Sequence, residues 1–328
     1  MPTLIAQADA AALPLADEAV DLVVGSPPYI DARTYDDGTL PDGHTVSRHT
    51  VDWVEWMLTV TAEAVRVCRG PVVWVAAAGE RNHCYQPAVE GLVWRWWSEG
   101  WTHNGPGTAA SGHCRRPVYW KRVGIPGSGG SQWFRADVEH CIAFSRPGRL
   151  PWSDNTAFGH APKWGPGGEM SHRLTDGTRV DQWGGTPSGY RERTRSGKRR
   201  AATGRPSRVV APVKGRTKRL SNGEMAEQLY TAPALANPGN LLNVKVGGGA
   251  MGSPIAHENE APYPEGVPDF FIRSLCPPDG TVLDPFGGSG TTAAVATKAG
   301  RRAITFDLRS SQCELIRRRC SELQPSLF

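Results

Sequence analysis

The chain has 328 residues, of which 39% are hydrophobic and 21% are charged, and its net charge is +5. This length can bury a sizeable core in one large domain or two smaller ones. The sequence has no apolar run of about eighteen residues, so we expect no membrane span. Residues 1–22 lack the basic flank and the apolar run of a secretory signal. Seven irregularly spaced cysteines without a CxxC pair argue against a zinc site or a disulfide framework, and favour a reducing cytoplasm.

Apolar periodicity predicts α/β structure in roughly the first 150 residues. Strands are predicted at 22–24, 72–75, 116–122 and 138–146, and helices at 50–68 and 89–101, the second ending at Gly100. From about 151 to 250 the periodicity breaks down, because Gly, Pro, Arg, Thr and Ser dominate. The regular pattern resumes near residue 265. There it predicts helices at 267–276, 291–300 and 310–320, and strands at 280–284 and 301–307.

The positive charge is concentrated in residues 190–219. This segment has twelve Lys or Arg and one Glu, a local charge of +11, so 5 − 11 leaves about −6 for the rest of the chain. It also has few large apolar residues, which predicts a basic arm or loop. Two interpretations stay open at this point: a solvated linker, or a segment that binds the phosphates of a nucleic acid.

The first motif stands within "DLVVGSPPYIDARTY", residues 21–35. A buried strand runs into Gly25 and then into Ser26-Pro27-Pro28-Tyr29. Proline has no N–H, and the residue before a proline is pushed towards extended geometry. The tetrapeptide is therefore a stiff turn, rich in carbonyl acceptors and poor in donors. Such a turn suits a ligand that brings donors, for instance an amino group with two hydrogens.

The second motif is "TVLDPFGGSGTTAAVATKAGRRAITFDL", residues 281–308, which predicts strand, glycine turn, helix, strand and a final acid. This order is typical of a nucleotide-type cofactor site, in which the glycines let the backbone approach the ligand closely. Asp307 can then accept hydrogen bonds from ribose hydroxyls. The loop opens with Asp284, an acid that would repel a pyrophosphate but attract a cationic cofactor. This favours S-adenosylmethionine over a dinucleotide.

Together the two motifs resemble the amino-methyltransferases of DNA, and in particular the permuted, or beta, class in which the catalytic motif precedes the cofactor motif. Residues 26–29 match the catalytic tetrapeptide of that family, and residues 284–292 match its cofactor loop. The likeness covers roughly 1–150 and 237–320. It implies a Rossmann-like α/β methyltransferase fold that uses S-adenosylmethionine, with circularly permuted motif order.

The resemblance also implies a set of site residues and three regions. The catalytic residues would be Ser26, Pro27, Pro28 and Tyr29. The cofactor-binding residues would be Asp9, Pro262, Asp284, Pro285, Phe286, Gly287, Gly288, Gly290 and Asp307. Asp9 follows Ala8 where the family usually has glycine. Residues 1–150 would be the catalytic half of the methyltransferase domain, 151–236 an irregular basic target-recognition insert, and 237–328 the cofactor-binding half. No metal is implied.

The expected DNA-binding residues are basic. They are Arg191, Arg193, Arg195, Lys198, Arg199, Arg200 and Arg205 in the insert, with Arg115 and Arg116 before Val118 of the predicted strand. For the last two, a solvated loop is an equal alternative. The implied partner is double-stranded DNA. A cognate restriction endonuclease is a second expected partner that methyl transfer does not require.

The implied reaction transfers a methyl group to the exocyclic amino nitrogen of a base. The base must leave the duplex to be reached, and Tyr29 can stack on it, which contributes on the order of 1–3 kcal/mol. Serine at the first position of the tetrapeptide is typical of cytosine-N4 enzymes and aspartate of adenine-N6 enzymes, so cytosine N4 is favoured and adenine N6 stays open. An RNA or protein methyltransferase, and a non-catalytic DNA-binding protein that keeps this fold, are further alternatives.

Overall fold

The computed structural model describes residues 3–30, 50–107, 113–124, 134–161, 217–219, 225–227, 234–247 and 249–323. The chain divides into two compact units, one made of residues 1–157 with 239–328 and the other of residues 158–238. None of the helices in the described ranges has the length and apolar character that a membrane span requires.

The larger unit contains most of the regular structure in the described ranges. Its strands are β1 (Thr3–Gln7), β2 (Leu22–Gly25), β3 (Val72–Ala76), β4 (Gly79–Arg81), β5 (Cys84–Gln86), β6 (Cys114–Val123), β7 (Val138–Phe144), β10 (Leu241–Lys245), β11 (Thr281–Asp284) and β12 (Arg302–Asp307). Its helices are α1 (Thr50–Val67), α2 (Ala88–Ser98), α3 (Gly266–Leu275), α4 (Thr291–Lys298) and α5 (Ser310–Ser321), with a short 3₁₀ helix at Pro254–Glu258. In the smaller unit, β8 (Thr217–Arg219) pairs with β9 (Met225–Glu227) in antiparallel fashion.

Eight strands form the central sheet in the order β1-β12-β11-β2-β3-β7-β6-β10. Every neighbouring pair is parallel except β3 with β7 and β7 with β6, so β7 alone runs against the others. The loops that follow β1, β12, β11, β2 and β3 consequently emerge at one edge of the sheet, where ligands bind in open α/β sheets. The cofactor-type strand β11 lies beside β2 although β2 comes much earlier in the chain.

The central strands are buried on both faces, as expected for a parallel sheet that is covered by helices. Val72, Trp74 and Ala76 of β3 pack into a core with residues of α1 and α2. Val73 and Val75 of the same strand point to the other face and pack with residues of α3 and α4. The alternation along one strand shows three layers, helices–sheet–helices.

Two helices end at the glycines that the sequence predicts. Gly100 has φ 66° and Gly300 has φ 71°, a left-handed conformation that glycine adopts without strain. After α2, Gly100 N donates to Trp97 O, and Trp101 N donates to Trp96 O. After α4, Gly300 N donates to Thr297 O, and Arg301 N donates to Ala296 O. Both are Schellman motifs, which satisfy carbonyls that the helix end leaves open.

The predicted α/β class and the predicted elements at both ends of the chain are confirmed, with helix α2 shorter than expected. The expectation of irregular structure from about 151 to 250 is wrong at 217–219 and 225–227, which are the paired strands β8 and β9, and at 241–245. That segment is β10, which pairs with residues 119–123 of β6 at the end of the sheet. The strand β1 and the β4–β5 hairpin were also not predicted. These strands have three to five residues each, none of them fully buried, so they carry little hydrophobic periodicity of their own.

Candidate active site

The two sequence motifs lie side by side at the edge of the sheet where β2 and β11 end. Leu22 and Leu283 belong to paired parallel strands, so the residues that follow Gly25 and Asp284 emerge next to each other. A Cβ atom built on Gly25 would lie 2.8 Å from Asp284 Oδ1 and 3.3 Å from the ring of Trp74. Position 25 therefore has to be glycine for the two motifs to approach this closely.

The tetrapeptide at residues 26–29 is held in place by contacts with other elements. Trp53 Nε1 of α1 donates to Pro28 O at 2.8 Å, so one lone pair of this carbonyl is used within the protein. Tyr29 Oη donates to Glu139 Oε2 of β7 at 2.6 Å, and Ser26 Oγ donates to Tyr29 Oη at 3.4 Å. Pro27 is buried. The turn is thus fixed at both its backbone and its aromatic ring.

Burial shifts the pKa values of Tyr29 and Glu139. The pKa of Tyr29 is raised well above its usual value, chiefly by burial and then by the negative charge of Glu139, so the phenol keeps its proton. Burial also raises the pKa of Glu139, while the hydrogen bond from Tyr29 and the charge of Arg122 act in the opposite direction. Arg122 Nη1 of β6 lies 3.3 Å from Glu139 Oε1.

The glycine loop follows β11 in a tight, strongly constrained turn. Gly287 N donates to Phe306 O at 2.7 Å, and a Cβ at Gly287 would lie 2.5 Å from Thr305 Oγ1. Gly288 has φ 52°, and its N–H donates to Asp307 Oδ2 at 2.9 Å. Gly290, with φ 76°, is the N-cap of α4. The glycines therefore let the loop backbone pass close to neighbouring residues, as the sequence predicts.

Asp284, the acid that opens the glycine loop, is buried. Its side chain is 2% exposed, and Oδ1 accepts from Phe286 N at 3.0 Å. Burial raises the pKa of Asp284 to about 7, against the effect of hydrogen bonds from Thr292 and Phe286. Tyr263 Oη also bonds to Thr292 Oγ1. A buried carboxylate of this kind is a strong attractor for a cation that enters the site.

Aromatic rings close the space around the loop. The ring of Phe286 makes edge-on contacts with Trp56 of α1 and Trp74 of β3, at centroid distances of 5.8 Å and 5.7 Å. Pro285, between Asp284 and Phe286, is buried. The loop thus packs against elements that also support the tetrapeptide.

The other predicted cofactor residues lie on the same side of the sheet or next to the loop. Asp307 ends β12, and its carboxylate accepts from Gly288 N and Arg309 N; burial raises the pKa of this acid. Asp9 follows β1 directly after Ala8, whose N–H bonds to Asp307 O, and its side chain is exposed. Pro262 precedes Tyr263 and is half-buried.

The predicted DNA-binding residues fall into two groups. Arg191, Arg193, Arg195, Lys198, Arg199, Arg200 and Arg205 lie outside the described residues. Arg115 stands level with Ala143 and Val73, near the start of β3, whereas the tetrapeptide follows the carboxyl end of the neighbouring strand. Its guanidinium bonds to Ser145 Oγ and Gly148 O. Arg116 is the next residue and is exposed. Both arginines lie within β6, so the expectation that they precede the strand, in a solvated loop, is wrong. The structure does not bring these two arginines together with the motifs, and their binding to DNA stays a prediction.

Sequence reasoning missed residues that hold the site but belong to neither motif. Glu139 is one, although an acid inside the apolar strand pattern of 138–146 was a signal that could have been followed. Arg319 of α5 is another. It is 1% exposed and bonds to Ser289 O, Thr291 Oγ1 and Met251 O, which ties the glycine loop to the rest of the fold. Within the described ranges, no cluster of three His, Cys, Asp or Glu side chains is arranged to hold a metal ion.

Residues 200–318 match a family model that is described as DNA methylase. This segment is therefore similar to the DNA methylase family over part of the chain. The match includes the glycine loop and β12, whereas the tetrapeptide at 26–29 lies before it. Together with the motifs and the fold, it supports an N4/N6 amino-methyltransferase of the Ser-Pro-Pro-Tyr type.

Curated relatives match over shorter segments. Type II methyltransferase M.PvuII of Proteus hauseri is 47% identical over 49 residues, which is 15% of this chain and 15% of that protein. Type II methyltransferase M.ScaI of Streptomyces caespitosus is 35% identical over 103 residues, 31% of this chain and 34% of that protein. The chain therefore matches about a third or less of the length of these relatives.

A solved structure shares the fold over nearly the whole chain. The PvuII DNA methyltransferase, described as cytosine-N4-specific, superposes with a TM-score of 0.56 at 16% identity, covering 99% of this chain and 89% of that one. At this identity the likeness shows the fold alone. The predicted Rossmann-like methyltransferase fold is confirmed.

Proposed function

We propose that this protein is a site-specific DNA methyltransferase that transfers a methyl group from S-adenosylmethionine to the exocyclic N4 of a cytosine. The observation that carries the proposal is the approach of the two motifs, with Gly25 so close to Asp284 that a Cβ would lie 2.8 Å from its carboxylate. A turn suited to an amino group and an acidic cofactor-type loop therefore share one side of one sheet. Ligands bind at this side in open α/β folds.

The residues around the glycine loop fit S-adenosylmethionine. Burial raises the pKa of Asp284 to about 7. A cationic ammonium group beside it would stabilise the ionised carboxylate. Asp307 already accepts two backbone N–H groups, and a carboxylate has further lone pairs for ribose hydroxyls. Asp9 and Pro262 complete the proposed pocket. When bound, the cofactor supplies the electrophilic methyl carbon of its sulfonium group.

The tetrapeptide would orient the amino group that is methylated. An exocyclic amine is a poor nucleophile because its lone pair is conjugated with the ring, so holding it in line with the methyl carbon removes much of the barrier. Ser26 Oγ and the carbonyls of the turn would accept the amino hydrogens, and Tyr29 would stack on a base flipped out of the duplex.

Replacing Ser26 by alanine tests this role. We expect Ser26→Ala to lower kcat by about 10- to 100-fold, since it removes an oriented hydrogen-bond acceptor, while the Kd for DNA stays within about threefold. Single-turnover methylation and a DNA-binding titration on the same preparation measure the two quantities. Equal losses of turnover and of affinity would mean that Ser26 only supports the fold.

The identity of the base is the finer part of the proposal. Serine at the first position favours cytosine N4, while adenine N6 remains the alternative because both bases carry a ring acceptor beside the amino group. Sequencing that reports modified bases, applied to DNA from cells that express the chain, names base and site together. N4-methylcytosine supports the proposal, and N6-methyladenine replaces it with the alternative.

Residues 151–236 would form the target-recognition region and 190–219 its phosphate-binding part. The test variant changes the seven proposed DNA-binding residues of the insert to glutamine: Arg191, Arg193, Arg195, Lys198, Arg199, Arg200 and Arg205. We expect weaker DNA binding, and a slope of log K against log salt that is smaller in magnitude by about 0.9 for each phosphate that the variant no longer neutralises. Cofactor affinity should not change. The change of Arg317 and Arg318 on α5 to glutamine serves as the control. An unchanged salt slope in the seven-residue variant would rule out the proposed phosphate binding.

One assay separates the remaining classes. The protein is incubated with labelled S-adenosylmethionine and plasmid, transfer RNA or no nucleic acid. Label in plasmid supports the proposed activity, label in transfer RNA indicates an RNA methyltransferase, and plasmid binding without label indicates a non-catalytic DNA-binding protein.

The cytoplasm is the proposed compartment because the seven cysteines are all free thiols. A cognate endonuclease remains a proposed partner.

A further inference from the structure

A buried carboxylate lies directly behind the tetrapeptide. Glu139, the second residue of β7, is 6% exposed and is not part of either sequence motif. One of its oxygens accepts from Tyr29 Oη at 2.6 Å, and the other lies 3.3 Å from Arg122 Nη1. Burying an acid is costly unless it is paired. Burial raises the pKa of Glu139, while the hydrogen bond from Tyr29 and the charge of Arg122 favour the ionised form, in which a carboxylate faces the phenol.

This arrangement sets the direction of a chain of hydrogen bonds. A carboxylate can only accept, and a phenol has one proton, so the proton of Tyr29 is committed to Glu139. Tyr29 Oη can then only accept from its other neighbour, which is Ser26 Oγ at 3.4 Å. The hydroxyl proton of Ser26 consequently points to Tyr29, and the lone pairs of Ser26 Oγ remain for a ligand.

We propose that Glu139 is a positioning residue that makes Ser26 an acceptor towards the substrate. This inference rests on the proposed function and deepens it. An amino N–H of the target base matches an acceptor, whereas the ring nitrogen beside it, an acceptor itself, does not. Ser26 therefore holds the amino group that is methylated, and Glu139 acts through Tyr29 without touching the base.

Glu139→Gln tests the inference with little change in size. An amide can donate to Tyr29, which frees the phenol proton and lets the chain of hydrogen bonds reverse. We expect kcat to fall at least tenfold at pH 8, with KM for DNA and Kd for S-adenosylmethionine within threefold of the wild-type values. The matched control is Glu90→Gln. Glu90 of α2 accepts from Tyr85 Oη of β5 at 2.5 Å in an exposed pair, and this change should leave kcat within twofold.

A double variant separates positioning from a merely structural role. If Glu139 acts through Ser26, then Ser26→Ala combined with Glu139→Gln is no slower than Ser26→Ala alone. The inference is overturned if the kcat losses of the two single variants multiply in the double variant. It is also overturned if Glu139→Gln loses affinity for DNA or cofactor, or if its kcat stays within twofold of wild type. If Glu139→Gln fails to fold, Tyr29→Phe removes the same link and must meet the same criteria.

The inference and the proposed function fail in different ways. Wild-type protein that transfers no methyl group to DNA overturns the proposed function and this inference with it. Active wild-type protein with an equally active Glu139→Gln variant overturns the inference alone.

Discussion

Asp284→Asn is expected to lower the affinity for S-adenosylmethionine at least about thirtyfold, while it stabilises the unliganded protein at pH 8. Removing one partner of a buried charge pair costs about 2–5 kcal/mol of binding. Asp284 is the acid proposed to face the cationic part of the cofactor, and it is 2% exposed. Asparagine keeps the oxygen that accepts from Phe286 N but not the charge.

The gain in stability follows from the sign of the pKa shift. Burial raises the pKa of Asp284 to about 7 from its ordinary value of 3.8, so the folded protein binds more protons than the unfolded chain between about pH 4 and pH 7. Its contribution to the free energy of unfolding therefore falls as the pH rises through that window and is constant above it. At pH 8 the neutral amide should stabilise the fold by about 1–3 kcal/mol. The affinity of the wild-type protein for the cofactor should fall as the pH drops below about 7.

Calorimetric titration with S-adenosylmethionine and urea unfolding at pH 5 and pH 8 measure these effects. Asp269→Asn is the control, since Asp269 is a half-buried acid of α3 that pairs with Arg273. It should leave the cofactor affinity unchanged. Asp284→Asn protein that binds S-adenosylmethionine as tightly as wild type would show that this carboxylate does not hold the cofactor.

Arg319→Met is expected to have the largest effect on stability, lowering the free energy of unfolding by about 3 kcal/mol. Arg319 is buried, and its guanidinium donates to Met251 O at 2.6 Å and to Ser289 O at 3.2 Å. Each buried carbonyl that loses its donor costs about 1–3 kcal/mol. Glu265, which also bonds to Arg319, keeps its ion pair with Lys298 and is not left unpaired.

The neighbouring arginine provides the control. Arg318 pairs with Glu258 on the surface, where ion pairs contribute little, so Arg318→Met should lower the free energy of unfolding far less than Arg319→Met. Urea midpoints of both variants, compared at equal slope, give the two values. Because Ser289 lies inside the glycine loop, Arg319→Met should also weaken binding of S-adenosylmethionine. Similar midpoints for the two variants would contradict the structural role assigned to Arg319.

The elements that could be predicted are those with a strong local pattern. The strand before Ser26 is a short apolar run that ends at a glycine, and α4 ends at Gly300, whose left-handed conformation the sequence signals directly. By contrast, β1 and β10 lie at the two ends of the sheet. They are strands because β12 and β6 pair with them, and such partners are distant in the chain.

The two motifs and the chemistry they suggest follow from the residues alone, because prolines, glycines and acids constrain the backbone and the charge wherever they occur. The approach of Gly25 to Asp284, and the hydrogen bond from Tyr29 to Glu139, 110 positions away, follow only from the folded arrangement. It also decided that Arg319 supports the glycine loop from 30 positions away. These contacts depend on the order and direction of strands in the sheet, and that order is set by the packing of the whole chain rather than by any local pattern.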